Sequence, residues 1–218
     1  MRAHTAQSNP DHTLHTQIPG LLCLLIAFLS ITGLSSCESF TADPKMISVT
    51  FDTSGEGWTV KDYDAGKGIL RTETSTPVFS LTGGNPGGYI YHVDKTEGSW
   101  YFVAPDDFVQ KLRNCYGQTL TFDLRQSATD QQGLARHNVV LVSKDVTLSF
   151  NASHNPGTTW TNYSVKLDST GLWRKKAAKL ASAEEVKQVI SNLEKILILG
   201  EFRAGADTGG LDNVIVKY

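Results

Sequence analysis

The chain has 218 residues, of which 40% are hydrophobic and 19% are charged, a composition typical of a soluble protein long enough to bury one sizeable core. Its formal net charge of −2 at pH 7 excludes the basic excess that binding to a phosphate backbone requires. We therefore expect one folded domain and no nucleic-acid partner.

The first 45 residues are interpreted as an export signal and a tether. A mostly apolar run from Leu21 to Leu34 is too short to cross a bilayer comfortably, but it has the length of a signal-peptide core. The stretch LSSC that ends at Cys37 resembles the bacterial lipobox, in which small residues precede the cysteine that receives the lipid. We predict a signal peptide over 1–36, lipidation of Cys37 and a tether over 37–45.

The alternative is an ordinary signal peptide or an uncleaved anchor in which Cys37 is incidental. A long N-terminal region, whose formal charges are Arg2 and Asp11, favours that alternative. Glu38, in place of an Asp after the cysteine, resembles the sorting pattern of outer-membrane lipoproteins in Gram-negative cells. The expected location is therefore the cell envelope, at the outer membrane, with the lipid as the membrane contact.

Cysteine content excludes a disulfide in the mature chain. Cys23 lies in the predicted signal and Cys37 is the predicted lipidation site, which leaves Cys115 as the one thiol of the folded part. The domain must therefore be stabilised by its hydrophobic core.

Residues 46–218 are predicted to fold mostly as β-strands. Short runs rich in Val, Ile, Phe, Tyr and Thr alternate with turn residues, in chain order at 46–51, 88–93, 99–104, 119–125, 138–143, 146–151, 161–167, 195–202 and 212–217. Leu120, Phe122 and Leu124 alternate with polar residues, so one face of that strand is buried and the other faces water. Two such sheets would enclose one core as a sandwich.

Two segments interrupt the β pattern. Over 182–196, apolar residues recur at helical spacing, and Ser182 followed by Glu185 forms a capping-box signature, so we predict a surface helix there. Residues 104–112 are predicted to form a short helix with Pro105 at or near its first position.

No motif in the chain indicates catalysis. His92, His137 and His154 have no paired metal-ligand spacing, and neither a nucleophile elbow nor a phosphate-binding loop occurs. The adjacent Asp106 and Asp107 are typical of an acidic first turn of a helix. We expect no enzymatic activity; the remote alternative is a glycoside-processing enzyme with two carboxylates from distant strands.

Several long blocks, in order along the mature chain, carry a resemblance to a known family. They are GWTV at 57–60, GGNPGGYIYHVD at 83–94, WYFVAPDDFV at 100–109, YGQTLTFDLR at 116–125, NPGTTWTNYSVKLD at 155–168 and ILGEFRAGADTGGLDNV at 198–214. The chain resembles the laminin B domain, also called laminin domain IV. The resemblance implies an all-β, jelly-roll-like antiparallel β-sandwich, similar to galactose-binding and carbohydrate-binding modules, over residues 46–218.

The expected function is that of an extracytoplasmic binding or structural module that recognises a polysaccharide or other surface polymer. The alternative is a protein-interaction or adhesion module whose partner is a surface protein. Trp160, Trp100 and Tyr91 are the candidate ligand-binding residues, because a sugar ring needs an aromatic surface to stack on. The alternative for each aromatic residue is a place in the core of the sandwich.

The closing strand is predicted to pair with the first strand, since a jelly roll returns its last strand beside its first. Gly205, Gly209 and Gly210 are expected to form a loop before it. Leu211, Val214 and Val216 cannot all face one way under strict alternation, so a turn or bulge is expected near Asp212. Asp52 and Asp212 would then lie close together and could hold a structural calcium ion. The alternative is that each carboxylate accepts hydrogen bonds from backbone amides of its own turn.

Overall fold

The computed structural model describes residues 46–64, 67–94, 99–130, 132–133, 137–175 and 179–217. The predicted signal peptide, Cys37 and the tether lie outside these residues. Of the helices described, none has the length and apolar character needed to cross a membrane.

Strands and helices are numbered in chain order. Within the described ranges the strands are β1 (Met46–Val49), β2 (Thr59–Asp64), β3 (Ile69–Leu70), β4 (Val78–Ser80), β5 (Tyr89–Val93), β6 (Trp100–Val103), β7 (Thr119–Gln126), β8 (Val139–Ser143), β9 (Thr147–Phe150), β10 (Thr161–Lys166), β11 (Arg174–Lys175), β12 (Lys179–Leu180), β13 (Leu193–Leu199) and β14 (Thr208–Lys217). The helices are α1 (Asp106–Leu112) and α2 (Ala183–Ser191), with a 3-10 turn at Ser169–Gly171.

The strands form two antiparallel sheets that enclose one core. The first sheet has the order β10-β7-β14-β5-β4, with β1 also paired to β14, and the second has the order β12-β11-β9-β8-β13-β6-β2-β3. Ile90, Leu124 and Leu211 are neighbours on the inner face of the first sheet and are fully buried. They belong to the same hydrophobic cluster as Ile196 and Ile198 of β13, so the predicted β-sandwich is confirmed.

The last strand pairs as predicted and contains the predicted bulge. β14 is antiparallel to β1, with Ile47 opposite Val216. Its register against β7 shifts between Asp212 and Ile215, and Asn213 has a φ of 50°. The bulge is needed because Leu211 and Val214, three residues apart, are both fully buried, which strict alternation would not allow.

Two glycines expected in the preceding loop are instead part of β14. Gly209 and Gly210 are paired to β5 and β7, and of the three predicted loop glycines it is Gly205 that has a positive φ, of 83°. A Cβ atom on Gly209 would lie 2.8 Å from the Trp100 ring and 2.3 Å from the Gly200 carbonyl oxygen. Close packing against Trp100 and Gly200 therefore explains why residue 209 is a glycine, and a turn does not.

The helices lie where the sequence predicts them, with one shorter than expected. Pro105 is the N-cap residue of α1, and Ser182 caps α2 through a complete capping box with Glu185. The second helix ends at Ser191 and not at 196, because Leu193 begins β13 and pairs with Ser143. Five strands were not predicted from the sequence, because they are short or follow polar and glycine-rich segments. They are β2, β3, β4, β11 and β12.

Candidate functional site

The outer face of the first sheet carries a groove of about 230 Å³, which we call the outer-face groove. It is lined by Tyr89, Tyr91, Arg125, Gln126, Ser127, Thr158, Thr208 and Gly210. The sheet register explains this set, because Tyr91 lies opposite Gly210 and Gly210 lies opposite Arg125. These three residues alternate with the buried Ile90, Leu211 and Leu124, so they face away from the core and the side chains of Tyr91 and Arg125 project outward.

Arg125 connects two aromatic rings at the wall of the groove. Its guanidinium carbon lies 4.4 Å from the centre of the Tyr89 ring and 4.8 Å from that of Trp160. Its Nη2 atom donates a hydrogen bond of 2.5 Å to the Tyr89 hydroxyl. The two rings themselves meet edge to face with their centres 5.4 Å apart. Because each contact restrains the others, the guanidinium and the rings form one ordered unit.

Gly210 provides the space that this unit occupies. A Cβ atom at this position would lie 3.2 Å from both Cγ of Arg125 and Cη2 of Trp160. The arginine and tryptophan side chains therefore lie directly over the strand backbone. A larger residue in β14 would have to displace them.

The loop at 83–88 holds Trp160 from the other side. The indole Nε1 of Trp160 donates a hydrogen bond of 3.0 Å to the Gly83 carbonyl oxygen. The backbone amide of Asn85 in the same loop donates to Oδ2 of Asp212 at 2.6 Å, and its side-chain amide donates to Oδ2 of Asp123 at 3.0 Å. The two carboxylates thus connect the loop to β14 and β7.

Asp123 and Asp212 are buried, with 3% and 0% of their surfaces exposed, and their oxygens are occupied by N–H donors. Asp123 accepts hydrogen bonds from the side-chain amides of Asn162 and Asn213, at 2.7 Å and 2.8 Å. Asp212 also accepts from the backbone amide of Asn213 at 2.7 Å. Burial raises the pKa of Asp212 to about 6, although the two backbone hydrogen bonds oppose this effect.

Of the three predicted ligand-binding residues, the structure brings two to one place. Trp160 and Tyr91 both lie beside Tyr89 on the outer face, where Tyr91 lines the groove. Trp100 is different: only 1% of its surface is exposed, and its ring packs against Phe102 inside the core. Because a buried ring offers no surface to a ligand, the assignment of Trp100 to a ligand site is wrong.

Sequence reasoning did not single out Arg125 as a site residue. Strand alternation could have placed Arg125 on the wet face, since it follows Leu124 in the predicted strand 119–125. Its contact with Trp160, however, joins β7 to the residue just before β10. That contact depends on the pairing of β7 with β10, which the sequence does not specify.

The contacts of Asp52 and Asp212 favour hydrogen bonding over a metal ion. Oδ2 of Asp52 accepts a hydrogen bond of 2.7 Å from the Thr50 hydroxyl, and Oδ1 accepts one of 3.4 Å from the Gly88 amide. No group of three or more His, Cys, Asp or Glu side chains suited to a metal ion occurs in the described part of the chain. The calcium site is an expectation from the sequence alone, whereas the donors seen here match the hydrogen-bonding alternative in kind, although some of them come from the loop at 83–88.

A second acidic cluster lies beneath the end of the first sheet and was not predicted. The backbone amide of Asp94 donates to the Asp207 carbonyl oxygen at 2.9 Å, which brings these two residues together, and Glu201 interacts electrostatically with both. Burial, together with the Asp94 charge, raises the pKa of Glu201 to about 7 and that of Asp207 to about 6. Both carboxylate oxygens of Asp207 are buried without a hydrogen bond among the described residues.

Comparison with known proteins identifies the family. A sequence profile of the family Laminin B (Domain IV) matches residues 101–217, more than half of the chain. The chain belongs to the laminin B (domain IV) family. Laminin subunit gamma-1 of Danio rerio is 31% identical to it over 173 residues, which are 77% of this chain and 10% of that protein. The chain thus spans about a tenth of the length of this relative.

Solved structures agree with the laminin B fold. The L4b domain of human laminin alpha-2 superposes with a TM-score of 0.62 at 12% identity, over 79% of this chain and 96% of that domain. A family 11 carbohydrate-binding module from Clostridium thermocellum, solved in complex with a mixed-linked tetrasaccharide, gives a TM-score of 0.43 at 12% identity. That alignment covers 82% of this chain and 91% of the module.

We predict that calcium does not stabilise this laminin B domain, because N–H and O–H donors already contact the carboxylates of Asp52 and Asp212. The thermal midpoint of unfolding should be the same in millimolar calcium and in excess chelator, since an ion bound only to the native state would raise it. A calcium-dependent rise that Asp52→Asn abolishes would instead establish a metal site.

We also predict that the domain becomes more stable as the pH falls from about 7.5 to about 5. Glu201 and Asp207 have folded-state pKa values of about 7 and about 6, above their ordinary values, so the folded state binds more protons than the unfolded state in this interval. Glu185, with its pKa lowered to about 2, loses its contribution only at more acid pH.

Thermal unfolding between pH 5 and pH 7.5 measures this effect. Glu201→Gln should reduce the dependence, most of all near pH 7, whereas Glu184→Gln, at an exposed position of α2, should leave it unchanged. A midpoint that falls on acidification within this interval would contradict the prediction.

Proposed function

We propose that this domain is a non-catalytic module that binds carbohydrate in the outer-face groove. The observation that carries the proposal is the contact of Arg125 with Tyr89 in a groove lining that also carries hydroxyl groups, with Trp160 packed against both residues. Membership of the laminin B family supports a binding or structural role, and the ligand is inferred from the groove alone.

The chemistry of the groove suits a sugar ring. Sugars present C–H faces, which pack on aromatic rings, and hydroxyl groups, which need polar partners at the ring edge. Tyr91 supplies an aromatic ring that is only half-buried, with its centre 5.6 Å from that of Tyr89. Ser127, Thr158 and Thr208 add hydroxyl groups to the lining.

The size of the groove limits what it can hold. Its volume of about 230 Å³ is below the roughly 300 Å³ at which pockets for whole small molecules begin. One sugar ring fits such a space, and the remainder of a polymer would extend across the open face of the sheet. The proposed ligand is therefore one residue of a polysaccharide or glycan chain.

The lining residues favour binding over hydrolysis. Glycoside hydrolysis requires a pair of carboxyl groups that flank the scissile bond, and the groove lining contains none. Asp123 and Asp212, on the same face, are buried and occupied by amide donors.

One feature favours the alternative of a protein partner. Val78 and Val93, which are 47% and 41% exposed, flank Tyr91 at the β4 edge of the same face, and Leu81 nearby is 68% exposed. Apolar side chains at a sheet edge are typical of protein contacts. A flat response to all glycans, together with capture of a surface protein through Val78 and Val93, would support this alternative.

The proposed attachment to the membrane rests on the sequence. With lipid on Cys37, the nine residues of the tether would keep the domain within about 30 Å of the membrane even when fully extended. Incorporation of labelled palmitate into the full chain, lost in Cys37→Ala, tests the attachment. Equal labelling of both proteins would refute it.

Binding is tested with the full chain carrying Cys37→Ala, applied to a glycan array and then titrated by calorimetry with the sugars that respond. Loss of the ring in Trp160→Ala or Tyr91→Ala should weaken binding about tenfold, as expected for one aromatic contact. Leu180→Ala, at a position 49% exposed on the other sheet, is the matched control and should bind normally. Normal binding by both groove variants would refute the site, and no binding to any glycan would refute the function.

A further inference from the structure

We infer that the outer-face groove selects acidic saccharides, with a carboxylate or sulfate group of the sugar bound to the guanidinium of Arg125. This inference rests on the proposed carbohydrate-binding function and specifies the chemical class of its ligand. The observation behind it is a cation that is held rigidly at the groove and has no acidic partner among the described residues.

Arg125 takes part in none of the ion pairs among the described residues. Within the described ranges they join Lys67 to Asp64, Lys111 to Asp107, Lys175 to Glu185 and Arg203 to Asp130. Arg203 illustrates the usual arrangement, since both its Nε and its Nη2 donate to the Asp130 carboxylate, at 2.9 Å and 3.0 Å. Arg125 has instead a neutral hydroxyl partner, that of Tyr89.

The remaining donors of Arg125 are available to a ligand. A guanidinium group has five N–H donors in a planar fork, and the one hydrogen bond of Arg125 within the described part of the chain uses Nη2. The Tyr89 and Trp160 rings fix the plane of the fork, because its carbon lies within 5 Å of both ring centres. Little side-chain entropy is then lost when the fork binds a carboxylate or sulfate in a bidentate manner.

The charge of the groove lining favours an anion over a neutral sugar at this position. Arg125 is the one charged side chain among the eight lining residues. The nearest acid on the same strand face, Asp123, has its two oxygens occupied by the amides of Asn85, Asn162 and Asn213. A neutral sugar could hydrogen-bond to the hydroxyl groups of the lining. An anionic sugar would also form charge-assisted hydrogen bonds with Arg125, which are about twice as strong as neutral ones.

Two matched pairs of sugars test the inference and distinguish the acidic groups. The first pair is oligogalacturonate and its methyl ester, which differ in the charge of the carboxyl groups, and the second is dextran sulfate and dextran. The full chain carrying Cys37→Ala should bind at least one acidic form about tenfold more tightly than its neutral counterpart, the effect of one charge-assisted hydrogen bond. The pair that responds identifies the carboxylate or the sulfate as the preferred group.

Variants of Arg125 assign the preference to this side chain. Arg125→Gln keeps hydrogen-bond donors but removes the charge, so it should bind the acidic and neutral forms equally. Lys175→Gln, which removes a positive charge on the second sheet, is the control and should keep the preference. Raising the salt concentration should reduce the preference of the unaltered chain, because ions screen the contact.

The outcomes separate this inference from the proposed function. Equal binding of acidic and neutral sugars by the unaltered chain would overturn the acidic selectivity and leave carbohydrate binding intact. An absence of binding to both pairs and to the glycan array would overturn both. If Arg125→Gln unfolds, the comparison within each pair on the unaltered chain still decides whether the groove prefers an acid.

Discussion

Burial of Asp123 and Asp212 between strands and loop is the constraint on which the proposed site depends. A buried carboxylate is costly unless hydrogen-bond donors compensate for the lost water. Here the donors come from Asn85 in the loop, Asn162 in β10 and Asn213 in the bulge of β14. Because the donors lie on separate segments, satisfying the two carboxylates fixes the position of the loop on the sheet.

That position determines the groove. The loop carries the Gly83 carbonyl that accepts the Trp160 indole N–H, and Trp160 in turn packs against Arg125. The bulge is part of the same arrangement, since it turns the backbone amide of Asn213 toward the Asp212 carboxylate. The architecture of the closing strand and the chemistry of the outer face therefore have a common origin in one polar network.

The sequence predicted the elements with strong local signals. Alternation in 119–125, the capping box at Ser182 and the apolar pair Leu211 and Val214 anticipated β7, α2 and the bulge of β14. Short strands such as β3 and β11, with two residues each, carry too little pattern to be recognised. The structural role of each glycine was ambiguous in the sequence, because a residue that permits a turn also permits the close packing seen at Gly209. For the aromatic residues, exposure depends on where the folded strands place each ring, so the buried Trp100 could not be separated from Trp160 in advance.

The central claim is that the outer face of the first sheet is the ligand-binding surface of this laminin B domain. Titration of the isotopically labelled chain with oligogalacturonate, followed by two-dimensional NMR, tests it residue by residue. The account predicts that the largest shifts occur at the Trp160 indole N–H, at the Arg125 guanidinium and at the backbone of Tyr91, with little change on β8 and β13 of the opposite sheet. Shifts confined to the second sheet or to the β4 edge, or no shifts with any saccharide that the chain binds, would contradict it.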